Sequence, residues 1–410
     1  MAWADTRTAP DWQVLALTMD GSGAPVALGK GPGEYHTMPA APAGDPAVIA
    51  WVEIPAGGST SLDITGTRLG KGAQPLDPEG LAISAAPGLQ SDVALASDGE
   101  TVLAVYADER PSANGASDIR AARVKADGSV LDPDGLPVAE SDWYETEPSV
   151  AFGKGVYLVA WANIPDGSQT EPAHVRFTLV TPDGKAGAAT VLDSPNPQRD
   201  KGHPRVAFDG ERFLVVWEMH EYEGWNIRGT RITPAGEVLD PKGFAISNAP
   251  YADTGRLLIE PSVVFAGGRY VVGWQDEFLT RIEIAQVGTD GAVLDPEPLV
   301  IPGLSGVTRP RLGVVAGGRA AIAYERFQPD LGAWRIVHRT VDPETPIGSG
   351  GAGGAGGGSG GSGGDPGLMS EGGCGCRSAG GDRHTGACFA ALFAVILRRR
   401  RTRRERAISA

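Results

Sequence analysis

Cysteine is absent from nearly the whole chain. The only three cysteines of this 410-residue sequence, Cys374, Cys376 and Cys388, all lie close to the C-terminus. The long body before them therefore has no disulfide, no cysteine metal site and no cysteine nucleophile. Aromatic residues are also few, at 7%, whereas glycine (59) and proline (32) are abundant, which indicates a chain rich in turns.

The body also lacks positive charge. The formal net charge is -14, and residues 350–410 carry nine Lys or Arg against four Asp or Glu, a balance of +5. The remaining residues 1–349 therefore carry -14 minus 5, or -19. A body this acidic repels nucleic acid, so we expect no nucleic-acid partner.

Familiar catalytic motifs are missing as well. The six histidines show no His-x-x-x-His or Glu-flanked metal spacing. The Gly-x-Ser-x-Gly matches, such as 357–361, lie in a Gly/Ser-rich stretch, whereas a nucleophile elbow needs a strand before it and a helix after it. Carboxylate pairs for glycoside chemistry stay open, because their distances are unknown from the sequence. The sequence thus predicts no catalytic residue, no metal site and no cofactor, and it favours a non-enzyme without deciding the question.

The dominant positive feature is a repeat of roughly fifty residues. Each unit is marked by an aromatic residue that ends an apolar run. These aromatics are Trp3, Trp51, Tyr106, Trp161, Trp217, Trp274 and Tyr324. Runs such as "FLVVW" suit a strand covered on both faces, "NIRGTRIT" alternates like a half-exposed strand, and Asp-Gly dipeptides mark the turns.

Four antiparallel strands per unit, repeated about seven times, are typical of β-propeller blades. We therefore expect an all-β fold, a propeller of about seven four-stranded blades with an incomplete first blade. A disordered Gly-rich linker and a short C-terminal apolar helix should follow. The predicted boundaries are 1–346 for the propeller, 347–372 for the flexible linker and 373–410 for the tail. The predicted units lie near 1–30, 35–85, 91–140, 147–194, 203–248, 260–303 and 309–344.

A Leu-Asp-Pro-x-Gly motif recurs in the outer part of several units. It occupies 76–80, 131–135 and 239–243, with a degenerate copy at 294–298. A calcium loop is one interpretation, but Lys242 at the variable position would spoil a cation site. A turn is the simpler interpretation, because proline fixes φ and glycine supplies a left-handed residue.

An acid or amide often follows the repeat aromatic by two positions. The matching residues are Asp5, Glu53, Asp108, Asn163 and Asp276. They could form a cation-facing or ligand-facing ring, or each could cap its own loop by bonding neighbouring backbone amides. The loops that follow are the most variable part of each unit, and binding residues tend to lie in such loops. The candidate ligand-facing residues are therefore Asp5, Glu53, Asp108, Asp276, His220, Tyr222, Trp225 and Trp334.

The C-terminal tail has a different character. The stretch 348–364 is mostly glycine and predicts a flexible tether. The apolar run 387–397 would make a helix of about 16 Å, too short for a hydrocarbon core of about 30 Å, so it resembles the apolar segment of a sorting signal. The arginines that follow, which include Arg398, Arg399, Arg400 and Arg401, should stay on the cytoplasmic side of a membrane.

The order Gly-Cys-Gly-Cys (373–376), apolar segment and arginine cluster resembles the myxobacterial C-terminal sorting signal called MYXO-CTERM. This resemblance implies export, recognition by an intramembrane sorting protease, and cleavage near Cys374 or Cys376. It also implies retention at the cell envelope or surface, membrane-associated through the tail. The body resembles propeller-like repeat arrays in exported proteins of the same bacteria, which have no common activity.

The N-terminus does not fit this destination. The opening "MAWADTRTAPDWQVLALTMDG" has no basic n-region and no apolar h-region, and Ala2 to Asp5 matches the end of a second strand. We therefore expect the sequence to be truncated at its N-terminus.

Two function classes follow. The favoured one is an exported, surface-anchored, non-catalytic propeller for binding, adhesion or scaffolding, with an unknown glycan or protein ligand. The alternative is a secreted carbohydrate-active hydrolase or lyase on a propeller scaffold. Converging carboxylates in the central channel, about 5 to 10 Å apart, would favour the enzyme.

Overall fold

The chain forms seven antiparallel sheets in the part that the structure describes. This structure is a computed structural model, and it describes residues 2–5, 13–16, 26–28, 40–42, 46–55, 61–110, 116–165, 172–192, 199–221, 224–247, 256–277, 280–295, 297–301, 307–315, 317–328, 333–341 and 371–373. Each sheet consists of strands that are consecutive in the sequence and pair in that order.

The first three sheets cover the N-terminal third of the chain. Sheet 1 contains β1 (Ala2–Asp5), β2 (Gln13–Ala16) and β3 (Val26–Ala27). Sheet 2 contains β4 (Ala40–Pro42), β5 (Ala47–Glu53), β6 (Asp63–Leu69) and β7 (Leu81–Ser84), with a 3-10 turn over Lys71–Ala73. Sheet 3 contains β8 (Leu89–Ser97), β9 (Thr101–Glu109), β10 (Asp118–Lys125) and β11 (Leu136–Ala139).

Sheets 4 to 7 repeat the same four-stranded pattern. Sheet 4 contains β12 (Tyr144–Gly153), β13 (Val156–Ile164), β14 (His174–Val180) and β15 (Thr190–Val191). Sheet 5 contains β16 (Lys201–Phe208), β17 (Phe213–Glu221), β18 (Gly224–Ile232) and β19 (Phe244–Ala245). Sheet 6 contains β20 (Leu258–Ala266), β21 (Arg269–Asp276), β22 (Arg281–Val287) and β23 (Leu299–Ile301). Sheet 7 contains β24 (Val307–Val315), β25 (Arg319–Gln328), β26 (Ala333–Val341) and β27 (Glu371–Gly373).

The core consists of apolar layers between successive sheets. In β17, Val215 and Trp217 pack toward sheet 4, while Leu214 and Val216 pack toward sheet 6. Successive side chains of a strand point to opposite faces, so the continuous apolar run is covered on both sides. Burial of each large apolar side chain contributes about 1.5–3 kcal/mol, which explains why the blades stabilise one another. Similar layers join every consecutive pair from sheets 1 and 2 to sheets 6 and 7.

This arrangement confirms the expected all-β propeller of about seven four-stranded blades with an incomplete first blade. Sheet 1 has three described strands. Sheet 7 takes its fourth strand, β27, from Glu371–Gly373, which pairs antiparallel with β26. The predicted C-terminal helix, the cysteine pair and the arginine cluster lie outside the described residues. Among the described residues, no helix has the length and apolarity needed to cross a membrane.

The two ends of the propeller differ. In an antiparallel sheet the start of the first strand and the end of the second lie at the same end. We call this the bulge end, because the first strands of sheets 3 to 7 each have a β-bulge there. The bulges begin at Asp92, Glu147, His203, Glu260 and Arg309. The opposite end, the hairpin end, carries the turns between first and second strands, such as Asp209 to Arg212, and the Leu-Asp-Pro-x-Gly segments.

The Leu-Asp-Pro-x-Gly segments are turns. The glycine N–H donates to the aspartate carbonyl in three copies, for instance Gly243 to Asp240 at 2.8 Å. Gly243 has a φ of 62°, and an added Cβ would lie 2.8 Å from the Trp217 ring, so glycine is required there. The aspartate side chain accepts from an arginine in the third strand: Asp240 Oδ1 lies 2.8 Å from Arg231 Nη2.

Each of these arginines also reaches the next blade. Arg231 Nη1 donates to the Thr289 carbonyl at 3.3 Å, and equivalent bonds run from Arg68 to Ala126 and from Arg123 to Pro182. We call the three Arg–Asp pairs with these carbonyls the blade latches. They give the recurring aspartate a structural role at the hairpin end.

Candidate active site

A bulge interrupts the first strand of sheets 3 to 7. In each of these sheets, two residues of the first strand lie opposite one residue of the second strand. That one residue is always the repeat aromatic, so the bulges occupy equivalent positions around the propeller. Bulges redirect side chains and are frequent beside active sites.

The first residue of every bulge is charged and has a left-handed backbone. These residues, which we call the bulge ring, are Asp92, Glu147, His203, Glu260 and Arg309, with φ from 49° to 57°. They account for five of the eight non-glycine residues with positive φ in the described part of the chain. Such backbone costs on the order of 1–3 kcal/mol per residue and is concentrated at functional sites in proteins.

The bulge ring lies around the propeller axis. The first strands of sheets 3 to 7 are neighbours in order. Arg205, two positions after His203, interacts electrostatically with Asp92, Glu147, Glu260 and Arg311, which belong to sheets 3, 4, 6 and 7. A side chain of sheet 5 can approach four other sheets only where all the first strands converge.

His203 connects three carboxylates. Its Nε2 lies 3.0 Å from Glu147 Oε1 and 3.9 Å from Glu260 Oε1, and its Nδ1 contacts Glu218 Oε1. The His203 backbone N–H also donates to Glu147 Oε2 at 2.9 Å. The side chain of His203 is 18% exposed and that of Glu218 is 6% exposed, so the cluster is largely shielded from water.

Side chains of the second strands accept hydrogen bonds from the backbone of the bulge ring. Glu218 follows the repeat aromatic Trp217, and its Oε2 accepts from the Glu260 backbone N–H at 3.0 Å. Gln275, at the equivalent position in sheet 6, accepts from the Arg309 backbone N–H at 3.1 Å. These bonds satisfy amides that the bulges remove from the strand ladder, and they hold the left-handed residues in place.

The electrostatic environment separates the two bulge-ring glutamates. Burial raises the pKa of Glu147 above its ordinary value, although the charge of His203 opposes this effect. Burial also acts to raise the pKa of Glu260, but Arg311, His203 and Arg205 outweigh it and lower the value to about 2. For His203, burial lowers the pKa, yet Glu147 and Glu218 outweigh it and raise the value to about 10. His203 is therefore a cation near neutral pH, and Glu260 is an anion.

The glutamates are close enough to act on one bond. Because Glu147 Oε1 and Glu260 Oε1 lie 3.0 and 3.9 Å from the same His203 nitrogen, they are separated by at most about 7 Å, the sum of the two distances. Glycosidase carboxylates lie about 5–5.5 Å apart in retaining enzymes and about 6.5–9.5 Å apart in inverting enzymes. Among the described residues, no group of three His, Cys, Asp or Glu side chains has a geometry suited to a metal ion.

Glu145, two residues before Glu147, is a second carboxyl with an altered environment. Burial raises its pKa to about 7, and the nearby charge of Asp118 adds to the shift. Its Oε1 accepts from the Ser141 hydroxyl at 3.0 Å, so it points into the loop side of sheet 4 and makes no described contact with the bulge ring.

The residues predicted from the loop positions have local partners instead. Asp108 is buried and accepts a hydrogen bond from the Arg110 backbone N–H at 2.8 Å. This bond caps the loop, as one of the two interpretations of the sequence predicted. Asp276 lies 2.7 Å from Arg256, and Glu53 accepts from the Trp51 indole at 3.2 Å.

Other predicted residues are only partly described. His220 stacks on Trp225 with ring centroids 5.2 Å apart, so the structure brings these two together. Asp5 and Trp334 lie in strands β1 and β26, but their side chains are outside the described residues, as is Tyr222 entirely. A ligand-facing role for the predicted set stays a prediction.

The bulge ring was missed because its members differ in residue type. A signal was nevertheless present: a charged residue directly precedes the proline that opens four units, as Glu147-Pro148, His203-Pro204, Glu260-Pro261 and Arg309-Pro310. The repeat made the proline visible and hid the residue before it.

Comparison with known proteins gives structural likeness only. No family model and no curated protein matches the chain. The native arabinanase Arb43A of Bacillus subtilis aligns with 63% of this chain and 97% of its own, at 13% identity and a TM-score of 0.39. The subtype N10 neuraminidase-like protein of A/little yellow-shouldered bat/Guatemala aligns with 74% of this chain and 92% of its own, at 10% identity and a TM-score of 0.47. The Cellvibrio cellulosa α-L-arabinanase complexed with arabinohexaose aligns with 62% of this chain and 94% of its own, at 12% identity and a TM-score of 0.37.

The expected non-catalytic role in binding, adhesion or scaffolding is wrong. The structures found include arabinanases and galactosidases, which are carbohydrate-active hydrolases, and they match the alternative interpretation. At 10–14% identity they assign no residue to this chain. The carboxylates that converge in this chain are Glu147 and Glu260, whose Oε1 atoms are at most about 7 Å apart.

Proposed function

We propose that this chain is a carbohydrate-active hydrolase with its active site at the bulge end of the propeller. The observation that carries the proposal is the glutamate pair on either side of His203, with pKa values displaced in opposite directions. A glycosidase needs one carboxyl that stays protonated and one that stays ionised, and different environments of two carboxyls produce this division.

Glu147 is the general acid in this proposal. Its raised pKa favours the protonated form, which donates a proton to the glycosidic oxygen as the bond breaks. Glu260 stays ionised and either takes a proton from the water that attacks the anomeric carbon, or attacks that carbon itself to form a glycosyl intermediate that water then hydrolyses. The limit of about 7 Å between their oxygens includes both geometries.

His203 is a positioning residue. Its charged imidazole lies within 3.0 Å of Glu147 and 3.9 Å of Glu260, and Glu218 fixes the ring through Nδ1. It lies within reach of both reactive carboxyl groups and balances their negative charge. Without this cation, the carboxylates would repel one another in a shielded site.

The test is hydrolysis of a polysaccharide panel by the full chain. The panel includes arabinan, β-1,3-galactan and uronate-containing polymers, and released reducing ends are measured. Glu147→Gln and Glu260→Gln should each lower kcat by about 10²–10⁴-fold, because each removes one acid–base role. Glu211→Gln is the matched control, since Glu211 is an exposed glutamate at the hairpin end. No hydrolysis by the wild type on any substrate, or full activity in both variants, would refute the proposal.

We also propose that the chain is exported and held at the cell surface through its tail. The support is the sequence pattern of Gly373 to Cys376, the apolar run and the arginine cluster. The sorting protease and the membrane would then be its partners. Fractionation of cells should show surface retention of the wild type and of Cys388→Ala, and its loss in Cys374→Ala/Cys376→Ala. Unchanged retention in the double variant would contradict a processing role for the pair.

A further inference from the structure

Two arginines occupy the same position on sheets 5 and 7. Arg205 and Arg311 each lie two residues after a bulge-ring residue, where sheets 3, 4 and 6 carry Ala94, Ser149 and Ser262. Arg205 Nη1 donates to the Pro204 carbonyl at 2.8 Å, and Arg311 Nη1 donates to the Pro310 carbonyl at 3.0 Å. The same bond in both blades gives the two side chains the same direction relative to their strands.

The two guanidinium groups lie near the proposed catalytic glutamates. Arg311 Nη2 lies 3.2 Å from Glu260 Oε2. Arg205 is near enough to Arg311 for their like charges to interact, and burial together with Arg311 lowers the pKa of Arg205. Glu260 thus lies near both arginines, but the only ion pair described for the two is between Glu260 and Arg311.

Arg205 has fewer described hydrogen-bond partners than Arg311. In the described part of the chain, its one described hydrogen bond is to Pro204, and no carboxylate lies within ion-pair distance of it. A guanidinium presents five N–H donors in a planar fork, which suits the paired oxygens of a carboxylate or sulfate. The acidic groups that influence Arg205 act on it without a described direct ion pair, so its N–H donors can take a further acceptor from a ligand.

We infer that Arg205 and Arg311 bind an anionic group of the substrate, so that the site takes an acidic glycan, carrying carboxylate or sulfate, in preference to a neutral one. This inference rests on the proposed function for the location of the site. An anionic group held by the two guanidiniums would place the adjoining sugar ring beside Glu260. The arginines are then specificity-determining residues, and Glu147 and Glu260 remain the catalytic ones.

The test is binding of matched oligosaccharides to the full chain, measured by titration calorimetry at low, fixed ionic strength. The probes are trigalacturonate, its neutral methyl ester and a sulfated galactose trisaccharide. The wild type should bind one of the acidic probes at least about tenfold more tightly than the methyl ester, as a charge-assisted bidentate pair allows. The preferred probe distinguishes carboxylate from sulfate.

Arg205→Gln should remove this preference, with a much larger loss of affinity for the acidic probe than for the methyl ester. Arg205→Lys should restore part of it, because the charge returns without the planar fork. Arg319→Gln is the control, since Arg319 is exposed at the hairpin end of β25. Equal binding of acidic and neutral probes by the wild type, or an undiminished preference in Arg205→Gln, would overturn the inference.

This experiment separates the inference from the proposed function. Tight, Arg205-dependent binding of an acidic probe without hydrolysis supports the anion site and counts against the hydrolase. Hydrolysis of a polymer by the wild type together with equal binding of acidic and neutral probes supports the hydrolase and counts against the anion site. The one hydrogen bond described for the Arg205 side chain is to its own strand, so its substitution should leave the fold intact, and a thermal melt checks this.

Discussion

The hairpin end and the bulge end of this propeller are built from the same repeat and use it in opposite ways. At the hairpin end, three sheets repeat the same residues at equivalent positions: the blade latches of sheets 2, 3 and 5 each consist of Arg, Asp and a carbonyl of the next blade. At the bulge end, equivalent positions share a backbone conformation but differ in side chain, as Asp, Glu, His, Glu and Arg. Sequence repetition therefore marks the structural end, and divergence within a fixed backbone marks the candidate site.

The largest effect on stability is expected at the bulge end. His203→Gln removes the cation from a shielded cluster of carboxylates, so we expect a loss on the order of 3 kcal/mol in the free energy of unfolding at pH 7. The folded-state pKa of His203 is about 10, above the unfolded value of about 6.5. Its contribution is therefore complete below pH of about 6.5 and disappears as pH rises through about 10.

Urea unfolding of wild type and His203→Gln at several pH values measures this contribution as a difference. His220→Gln is the control, because His220 lies at the same end but stacks on Trp225 outside the bulge ring. A difference between wild type and His203→Gln that stays constant from neutral pH to pH 10 would show that the carboxylates do not hold His203 as a cation.

A smaller effect is expected at the hairpin end. Asp240→Asn weakens two charge-assisted bonds to the Arg231 side chain and one bond to its backbone N–H. We expect a loss of about 1–2 kcal/mol in the free energy of unfolding and no change in kcat on any substrate that the wild type hydrolyses. Asp127→Asn, in an exposed turn with one bond to Ser129, should cost less. A fall in kcat of Asp240→Asn would mean that the two ends are coupled.

The smallest effect is expected for the exposed pair between Lys154 and Glu211. These residues join sheets 4 and 5 at the hairpin end, 2.9 Å apart, with side chains 50% and 71% exposed. Solvent-exposed ion pairs contribute little, so Glu211→Gln should change the free energy of unfolding by no more than about 0.5 kcal/mol. Thermal melts of both proteins measure this, and a clear drop in Tm would show that blade packing depends on surface charge as well as on the apolar layers.

Much of the fold was predictable because its determinants are local. The aromatic at the end of each apolar run, the alternation in "NIRGTRIT" and the Asp-Gly turns each act within a few residues. The Leu-Asp-Pro-x-Gly turn was also predictable, since proline and glycine set its backbone. Its arginine partner was not, because Arg231 is nine residues away and meets Asp240 only through strand pairing.

The candidate site could not be predicted in the same way. The loop residues chosen from the sequence, such as Asp108 and Asp276, follow the repeat aromatic closely, and the structure pairs them with neighbouring arginines. Glu147, His203 and Glu260 are each more than fifty residues apart in the sequence, and no local pattern relates one to the next. The proline that follows each of them marked a strand start and gave no indication of a shared centre.

The sequence by itself determined the strands, the turns and the number of repeating units, because backbone preference and apolar periodicity act over short distances. The tertiary structure decided which charges meet. Packing of each blade on the next brings five first strands side by side, and a bulge opposite each repeat aromatic turns one charged residue toward the same region. Only there does burial, together with the nearby charges, separate the pKa values of Glu147 and Glu260, because electrostatic effects of that size require close approach in a shielded site.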